Sequence, residues 1–242
     1  WKKHEENAKA RGVFADYPHF LAPFAYTFQP VWNSGCPGMK KGFNVTSYSD
    51  ILDNPALKGL VLVSDVTKST SYSLTTIGLM ENGFDVKGMW KKLKALDPLV
   101  GFRTSAKLQL MANCERAIDM WNLSGRMVQL IRKKPDLAKV MRWGTYKEGQ
   151  VFFGMQAGVV KGAPHPNAGK LLMEFLLIKE AVDIVAEEEI SFYSMLKGYK
   201  PPASVKKYMM DFNKVKTLPI KDQPVAAKTF QKMRRQWQQV FR

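Results

Sequence analysis

Cysteine is scarce in this sequence. Only Cys36 and Cys114 occur in 242 residues. They form no CxxC pair and no regular framework, so zinc fingers and disulfide-rich scaffolds are excluded. A single bridge between the two stays open. Histidine is nearly as rare, and His4, His19 and His165 are scattered. No imidazole-based metal site and no nucleophile–base triad can be assembled from them, and no close pair of carboxylates stands out. No apolar run approaches the roughly 18 residues of a membrane span. The chain opens "WKKHEENAKARG", without an initiator methionine or a signal-peptide core. That start reads as a chain processed or cut upstream.

Acidic residues are also few. Against 37 Lys and Arg stand 21 Asp and Glu, a formal net charge of +16. Such an excess suits anionic partners, whether nucleic acid, an acidic membrane surface or a small anion in a cleft. It equally suits a solvated lysine-rich surface, and the positive residues are spread along the whole chain. What is abundant is core material: 45 % hydrophobic residues and six tryptophans, enough for one large domain or two modest ones.

Strand and helix patterns alternate. The segment "PFAYTFQPVW" (23–32) puts Phe24, Tyr26 and Phe28 on one face and reads as a strand. "LVLVSD" (60–65) reads as a buried strand. A helix over "KSTSYSLTTIGLMENG" follows, opened by hydroxyl residues and closed by Gly83. Asp85 caps the next helix, whose Met89, Trp90, Leu93 and Leu96 form an apolar stripe. The pattern then repeats: "PLVGFR" as strand, a helix capped by Thr104 or Ser105, "RAIDMW" as strand, and a helix capped by Ser124. "GQVFFGMQAGVV" is a strand region, and a final helix from about Ala226 carries Phe230, Met233, Trp237 and Val240 on one face. Alternation of this kind predicts an α/β architecture with a mainly parallel sheet.

The stretch "KGAPHPNAGKLLMEFLL" (161–177) has the look of a phosphate loop but not its spacing. Gly162 and Gly169 enclose six residues, and Lys170 is followed by Leu171 rather than Ser or Thr. A helix start explains it: Pro164 and Pro166 block helix before the turn and Asn167 caps. Leu171, Leu172, Phe175 and Leu176 form the expected buried face of one long helix or two.

Its wording is distinctive nonetheless. "VVKGAPHPNAGKLLMEFLLIKEAVDIVAE" resembles a segment of the periplasmic solute-binding proteins of the ferric-iron type, which serve bacterial ABC importers. "SYSDILDNPALKGLVLVSDVTKSTSY", "LKALDPLVGFRTSAKLQLMANCERAIDMWNLSGRMVQLIRKK" and "GVFADYPHFLAPFAYTFQPVWN" resemble further segments of the same family in the same order. The resemblance implies a two-lobed, type 2 periplasmic-binding-protein-like α/β fold with the N-terminal part of the first lobe missing, since family members begin with roughly another hundred residues. It implies a first-lobe remnant and crossing in 1–30, a second lobe in 31–150, and a return to the first lobe with the C-terminal helices in 151–242. Two departures matter. Cys114 stands where the family has glycine, and the tyrosine pair that ferric binders carry near "WNLSGRM" is absent.

Three segments share one design, a strand followed by Ser or Thr at the start of a helix: Ser69, Thr70, Ser71 and Tyr72; Thr104 and Ser105; Asn122 with Ser124, Gly125 and Arg126. Helix N-termini hold anions through unpaired N–H groups. Ser and Thr are also ordinary N-caps, and an arginine in a helix's first turn usually points to solvent. Arg126 is the natural charge partner, Tyr26 can line the cleft, and Trp32 suits the core. The resemblance implies capture of a small solute between two closing lobes and delivery to an inner-membrane ABC permease from the periplasm or outer face of the envelope. It implies no catalysis, no cofactor, no resident metal, no nucleic acid, and a monomer. The solute is expected to be an anion such as a carboxylate or phosphonate, or ferric iron with an anion. Two rivals remain from the residues: a basic nucleic-acid-binding protein, and an α/β enzyme acting on a phosphorylated substrate.

Overall fold

The computed structural model describes residues 2–10, 12, 13, 19–101, 103–212, 214–221, 225 and 227–241. Helix α1 (Lys2–Ala10) precedes β1 (Leu21–Tyr26) and β2 (Gln29–Asn33), followed by α2 (Ser49–Leu52), β3 (Val61–Ser64), α3 (Thr70–Glu81) and α4 (Val86–Ala95). Then come β4 (Leu99–Gly101), α5 (Thr104–Ala112), β5 (Ile118–Asn122), α6 (Ser124–Lys133) and β6 (Met141–Trp143). The remainder is β7 (Phe153–Ala157), α7 (Pro166–Phe175), α8 (Lys179–Glu188), β8 (Tyr193–Ser194), α9 (Ala203–Lys206) and α10 (Ala227–Phe241). Three expected features touch residues outside those described: Phe102 in the strand "PLVGFR", residues 14–18 of the lobe crossing, and Ala226 at the last helix start.

The strands form two sheets. Five are ordered β4-β3-β5-β2-β6 and three are ordered β7-β1-β8. In the larger sheet β3 runs parallel to β4 and β5, whereas β2 runs antiparallel to β5 and β6. The expected mainly parallel sheet is therefore a mixed one, because β2 arrives from the other sheet and inserts between β5 and β6. The single strand expected over 23–32 is likewise two strands in different sheets. The chain passes between the sheets at residues 27–28 and returns at 150–152.

Buried polar side chains tie the two crossings together. Thr27 Oγ1 donates to the Val151 carbonyl at 2.7 Å, and Gln150 Nε2 donates to the Phe28 carbonyl at 3.1 Å and to Thr27 Oγ1 at 3.2 Å. Both side chains are about 1 % exposed, so these bonds satisfy groups that water cannot reach. A third segment joins them: Gln150 N–H donates to the Lys216 carbonyl and Leu218 N–H to the Gln150 carbonyl. That segment leads to α10.

Local rules explain several elements directly. The Asp85 carboxylate accepts from the Gly88 N–H at 2.9 Å and starts α4. Trp90 and Leu93 are buried beneath α10, and the Trp90 and Trp237 rings meet edge to face with centroids 5.2 Å apart. Met233, Trp237 and Val240 are the buried residues of α10, at helical spacing. This helix was expected with the first lobe, but it packs on α4 and α3, beside the five-stranded sheet. Trp32 is core, 2 % exposed, with Phe43 edge-on to it.

The face expected to be buried on α7 is not. Leu171 is 68 %, Leu172 57 % and Phe175 45 % exposed, and Met173 is the buried residue of that helix. Apolar spacing marks a face that seeks cover, and no described element lies over it. Asn167 is not the cap either: α7 starts at Pro166, with His165 in the N-cap position and no side-chain cap bond.

Cys36 and Cys114 are joined in a disulfide, with Cα atoms 5.2 Å apart, linking the loop after β2 to the turn that ends α5. Cys114 has φ +57°, in the left-handed region that glycine enters without penalty. No helix of the described residues is long and apolar enough to cross a membrane.

Candidate functional site

Strands β4, β3 and β5 are parallel neighbours, and each feeds a helix: α5, α3 and α6 respectively. The three helix N-termini therefore gather at one edge of the sheet, beyond the strand carboxyl ends. Arg103, Ser69 and Leu123 occupy the N-cap positions, and none supplies a side-chain cap bond. The first-turn N–H groups of α3 and α5 keep their partial positive charge on that edge. A cavity of about 600 Å³ opens there.

One wall of the cavity comes from these loops: Ser69, Ser71, Tyr72, Arg103, Thr104, Ser105, Leu123 and Arg126. The facing wall comes from the first crossing and the smaller sheet, through Tyr26, Phe28, Met155 and Phe192. The Tyr26 hydroxyl lies 2.6 Å from Ser71 Oγ, joining the two walls. Phe28 stacks on Tyr72 with centroids 4.2 Å apart, which gives the cavity a flat aromatic floor.

Seven of the residues expected from sequence line this cavity: Tyr26, Ser69, Ser71, Tyr72, Thr104, Ser105 and Arg126. Thr70 is exposed in the first turn of α3, outside the lining. Asn122, Ser124 and Gly125 are buried behind the wall. Asn122 is fully engaged: its amide donates to Asp119 at 2.6 Å and to the Thr104 carbonyl at 3.2 Å, while its oxygen accepts from Leu123 N–H. Ser124 is not the expected cap, because its hydroxyl donates to the Tyr208 carbonyl at 3.3 Å. The Gly125 N–H donates to Ser191 Oγ, so it is not available to a ligand. A Cβ at Gly125 would stand 2.6 Å from the Ser191 nitrogen, and only glycine allows this approach. Thr104 opens α5 without capping it; Arg103 holds the cap position.

Sequence reasoning missed Arg103, Phe28 as lining, Leu123, Met155 and Phe192. Arg103 had a readable signal: it is the last residue before Thr104-Ser105 in "GFRTS", at a strand-to-helix junction. Met155 and Phe192 come from distant parts of the chain, and no local pattern announces them. Arg126 is about one-third exposed; its guanidinium donates to Gln129 Oε1 at 2.8 Å and lies 3.4 Å from Glu189 Oε1. Arg103 is exposed at the mouth.

Behind Tyr72 lies a buried ion pair. Lys107 Nζ is 2.7 Å from Asp119 Oδ2 and donates to Ser64 Oγ at 2.7 Å and to the Trp121 carbonyl at 3.0 Å. Both charged side chains are 1 % exposed or less. The same Trp121 carbonyl accepts from the Tyr72 hydroxyl at 3.3 Å, and the ammonium sits 5.1 Å from the Tyr72 ring centroid. Asp119 also accepts from Trp121 N–H and Asn122, which reaches Thr104. One network thus ties the α3 start, the α5 start and the β5 end to each other. Burial alone would lower the Lys107 ammonium, but the facing Asp119 outweighs it and the group is pushed up. Burial pushes the Tyr72 phenol up, so it stays neutral. Among the described residues no cluster of three or more His, Cys, Asp or Glu could hold a metal ion.

No family model matches the chain, and no curated protein matches it. Solved structures do. The substrate-binding protein of an ABC transporter from Agrobacterium tumefaciens superposes with a TM-score of 0.70 at 13 % identity, covering 92 % of this chain and 67 % of its own. A ferric iron-binding protein A from Mannheimia haemolytica, in an open conformation, gives 0.71 at 17 %, covering 99 % and 74 %. A Trichodesmium protein (IdiA, FutA) in complex with iron and citrate gives 0.72 at 18 %, covering 96 % and 72 %. The chain has the fold of these binding proteins and spans about 67–74 % of their length.

Proposed function

We propose that the chain is the solute-capturing component of a bacterial ABC importer and that the cavity is its solute site. The observation that carries this reading is the convergence of the α3 and α5 N-termini, neither with a side-chain cap, on one cavity that also holds Arg103 and Arg126. Positive partial charges and two guanidinium groups suit a small anion: a carboxylate, phosphate or phosphonate. This reading takes the chain as two lobes meeting at the crossings, 27–28 and 150–152, near the expected bounds of 30/31 and 150/151, with α10 packed on α4 and α3. Rotation about residues 27–28 and 150–152 would close Met155 and Phe192 over the solute, expelling water and strengthening each polar contact. The solute leaves unchanged; the reading requires no reaction.

A second ligand reading is ferric iron held with an anion. It is favoured by the iron-bound neighbour and by the Tyr26 phenol in the lining. The bridge between Cys36 and Cys114 fits an oxidising compartment, hence the periplasm or the outer envelope face, where an inner-membrane permease is the partner. A thermal-shift titration tests the reading, with phosphate, phosphonates, small carboxylates and ferric iron with and without citrate. A ligand of the folded state adds about 2.7 kcal/mol of stability at a hundredfold excess over Kd. Arg103→Ala and Arg126→Ala should each weaken a responding anion by about tenfold or more, as loss of a charge-assisted bond does. Silence across the panel, or stabilisation by duplex DNA alone, would overturn the reading.

A further inference from the structure

We propose that the groove between α4 and α10 docks on an anionic phospholipid bilayer. The two helices, VKGMWKKLKA and AKTFQKMRRQWQQVF, hold eight Lys or Arg and no Asp or Glu. Where they meet, Lys87 of α4 faces Lys228, Lys232 and Arg235 of α10 across a groove whose remaining lining is glutamine, without a carboxylate. The three α10 cations stand at i, i+4 and i+7, so they share one face and span about 10 Å of helix. All four are exposed.

The opposite face of α10 fixes how this surface can act. Met233, Trp237 and Val240 are buried, with Trp237 locked against Trp90, so the helix cannot turn its apolar side into lipid. Lys87 Nζ donates to Gln239 Oε1 at 3.2 Å, which holds the two helices' polar edges together. The result is a cationic face on a packed helix pair that contacts headgroups electrostatically. Near an anionic leaflet each Lys or Arg contributes about fivefold in affinity. Nucleic acid has the same charge, but the Cys36–Cys114 bridge fits a compartment where nucleic acid is not the resident polyanion. Docking rests on the importer reading in one respect: a carrier that hands solute to a permease works at a membrane surface.

Co-sedimentation with phosphatidylcholine vesicles, with and without phosphatidylglycerol, tests the proposal. Binding is expected only with phosphatidylglycerol, falling steeply from about 50 to about 300 mM salt as the surface potential is screened. The variant Lys228→Glu/Lys232→Glu/Arg235→Glu should lose about a hundredfold or more, from three charges at about fivefold each. A control reversing Lys40, Lys41 and Lys58 to Glu, equal in net charge and outside both helices and the groove lining, should lose far less. Thermal midpoints of both variants check that the fold is kept. No vesicle binding, equal losses in the two variants, or groove-dependent binding to duplex DNA but not to vesicles would overturn it. Solute titrations in free solution separate the two claims: vesicle binding without any solute would sink the importer reading and leave docking intact.

Discussion

Replacing Lys107 by methionine removes the cation from the network behind the cavity while keeping most of its length. Asp119 would keep its bonds from Trp121 N–H and Asn122, but lose the ammonium that neutralises it at 2.7 Å. An uncompensated buried charge of this kind costs about 3–5 kcal/mol. Asp119→Asn alone leaves the ammonium buried with Ser64 Oγ and the Trp121 carbonyl, and should cost a similar amount. The double variant removes both charges while an Asn oxygen can still accept from Trp121 N–H. It should therefore cost less than the sum of the singles, by about 2–3 kcal/mol of coupling. Urea unfolding of the four proteins gives the cycle, read as midpoint shifts at constant slope. Because the pair binds the α3, α5 and β5 ends together, the singles should also weaken solute binding. A Lys107→Met cost below about 1 kcal/mol, or strict additivity, would refute the claim that this pair organises the site.

Reducing the Cys36–Cys114 bridge, or replacing both cysteines by serine, should cost about 4–5 kcal/mol, the chain-entropy value for a closed loop of 78 residues; an unchanged urea midpoint would contradict it. Stability should fall above about pH 10. Tyr48, Tyr146 and Tyr193 have phenols pushed up by burial, and Lys107 is pushed up by Asp119, so the folded chain holds protons that the unfolded chain releases. The stability they contribute is complete below the unfolded values and is lost as pH rises toward the folded ones, which urea titrations from neutral pH to about pH 11 would read. Gly125→Ala puts a Cβ 2.5 Å from Ser191 Oγ and 2.6 Å from its nitrogen, and should destabilise by about 1–3 kcal/mol, lowering the thermal midpoint.

Where local chemistry decides the structure, the residues announced it. Asp85 with the Trp90–Leu93 stripe gives α4, and the period of Met233, Trp237 and Val240 gives α10. Alternation through 23–32 is continuous, and it carries no mark of a change of sheet. That break is set by Thr27 and Gln150, residues 123 apart in sequence whose side chains meet. The α7 face misled for the converse reason: spacing shows which side is apolar, not what covers it. In the site, hydroxyl residues at strand-to-helix junctions pointed to the right three loops. They did not separate Ser71, which faces the cavity, from Ser124, which faces Tyr208. Lys107 was unreadable, since a lysine on a helix is ordinarily solvated and its buried partner lies 12 residues away on another element.

In the proposed site, helix N-terminal amides as well as side chains hold the anion. Amide-resolved NMR with isotopically labelled protein titrated with inorganic phosphate and then with phosphonate or citrate tests it most directly. Saturable shifts are expected, confined to the first turns of α3 and α5, at Ser71, Tyr72 and Ser105, together with the Arg103 and Arg126 side chains. Saturable shifts at the α4–α10 groove alone, with these amides unmoved by every anion tried, would contradict it.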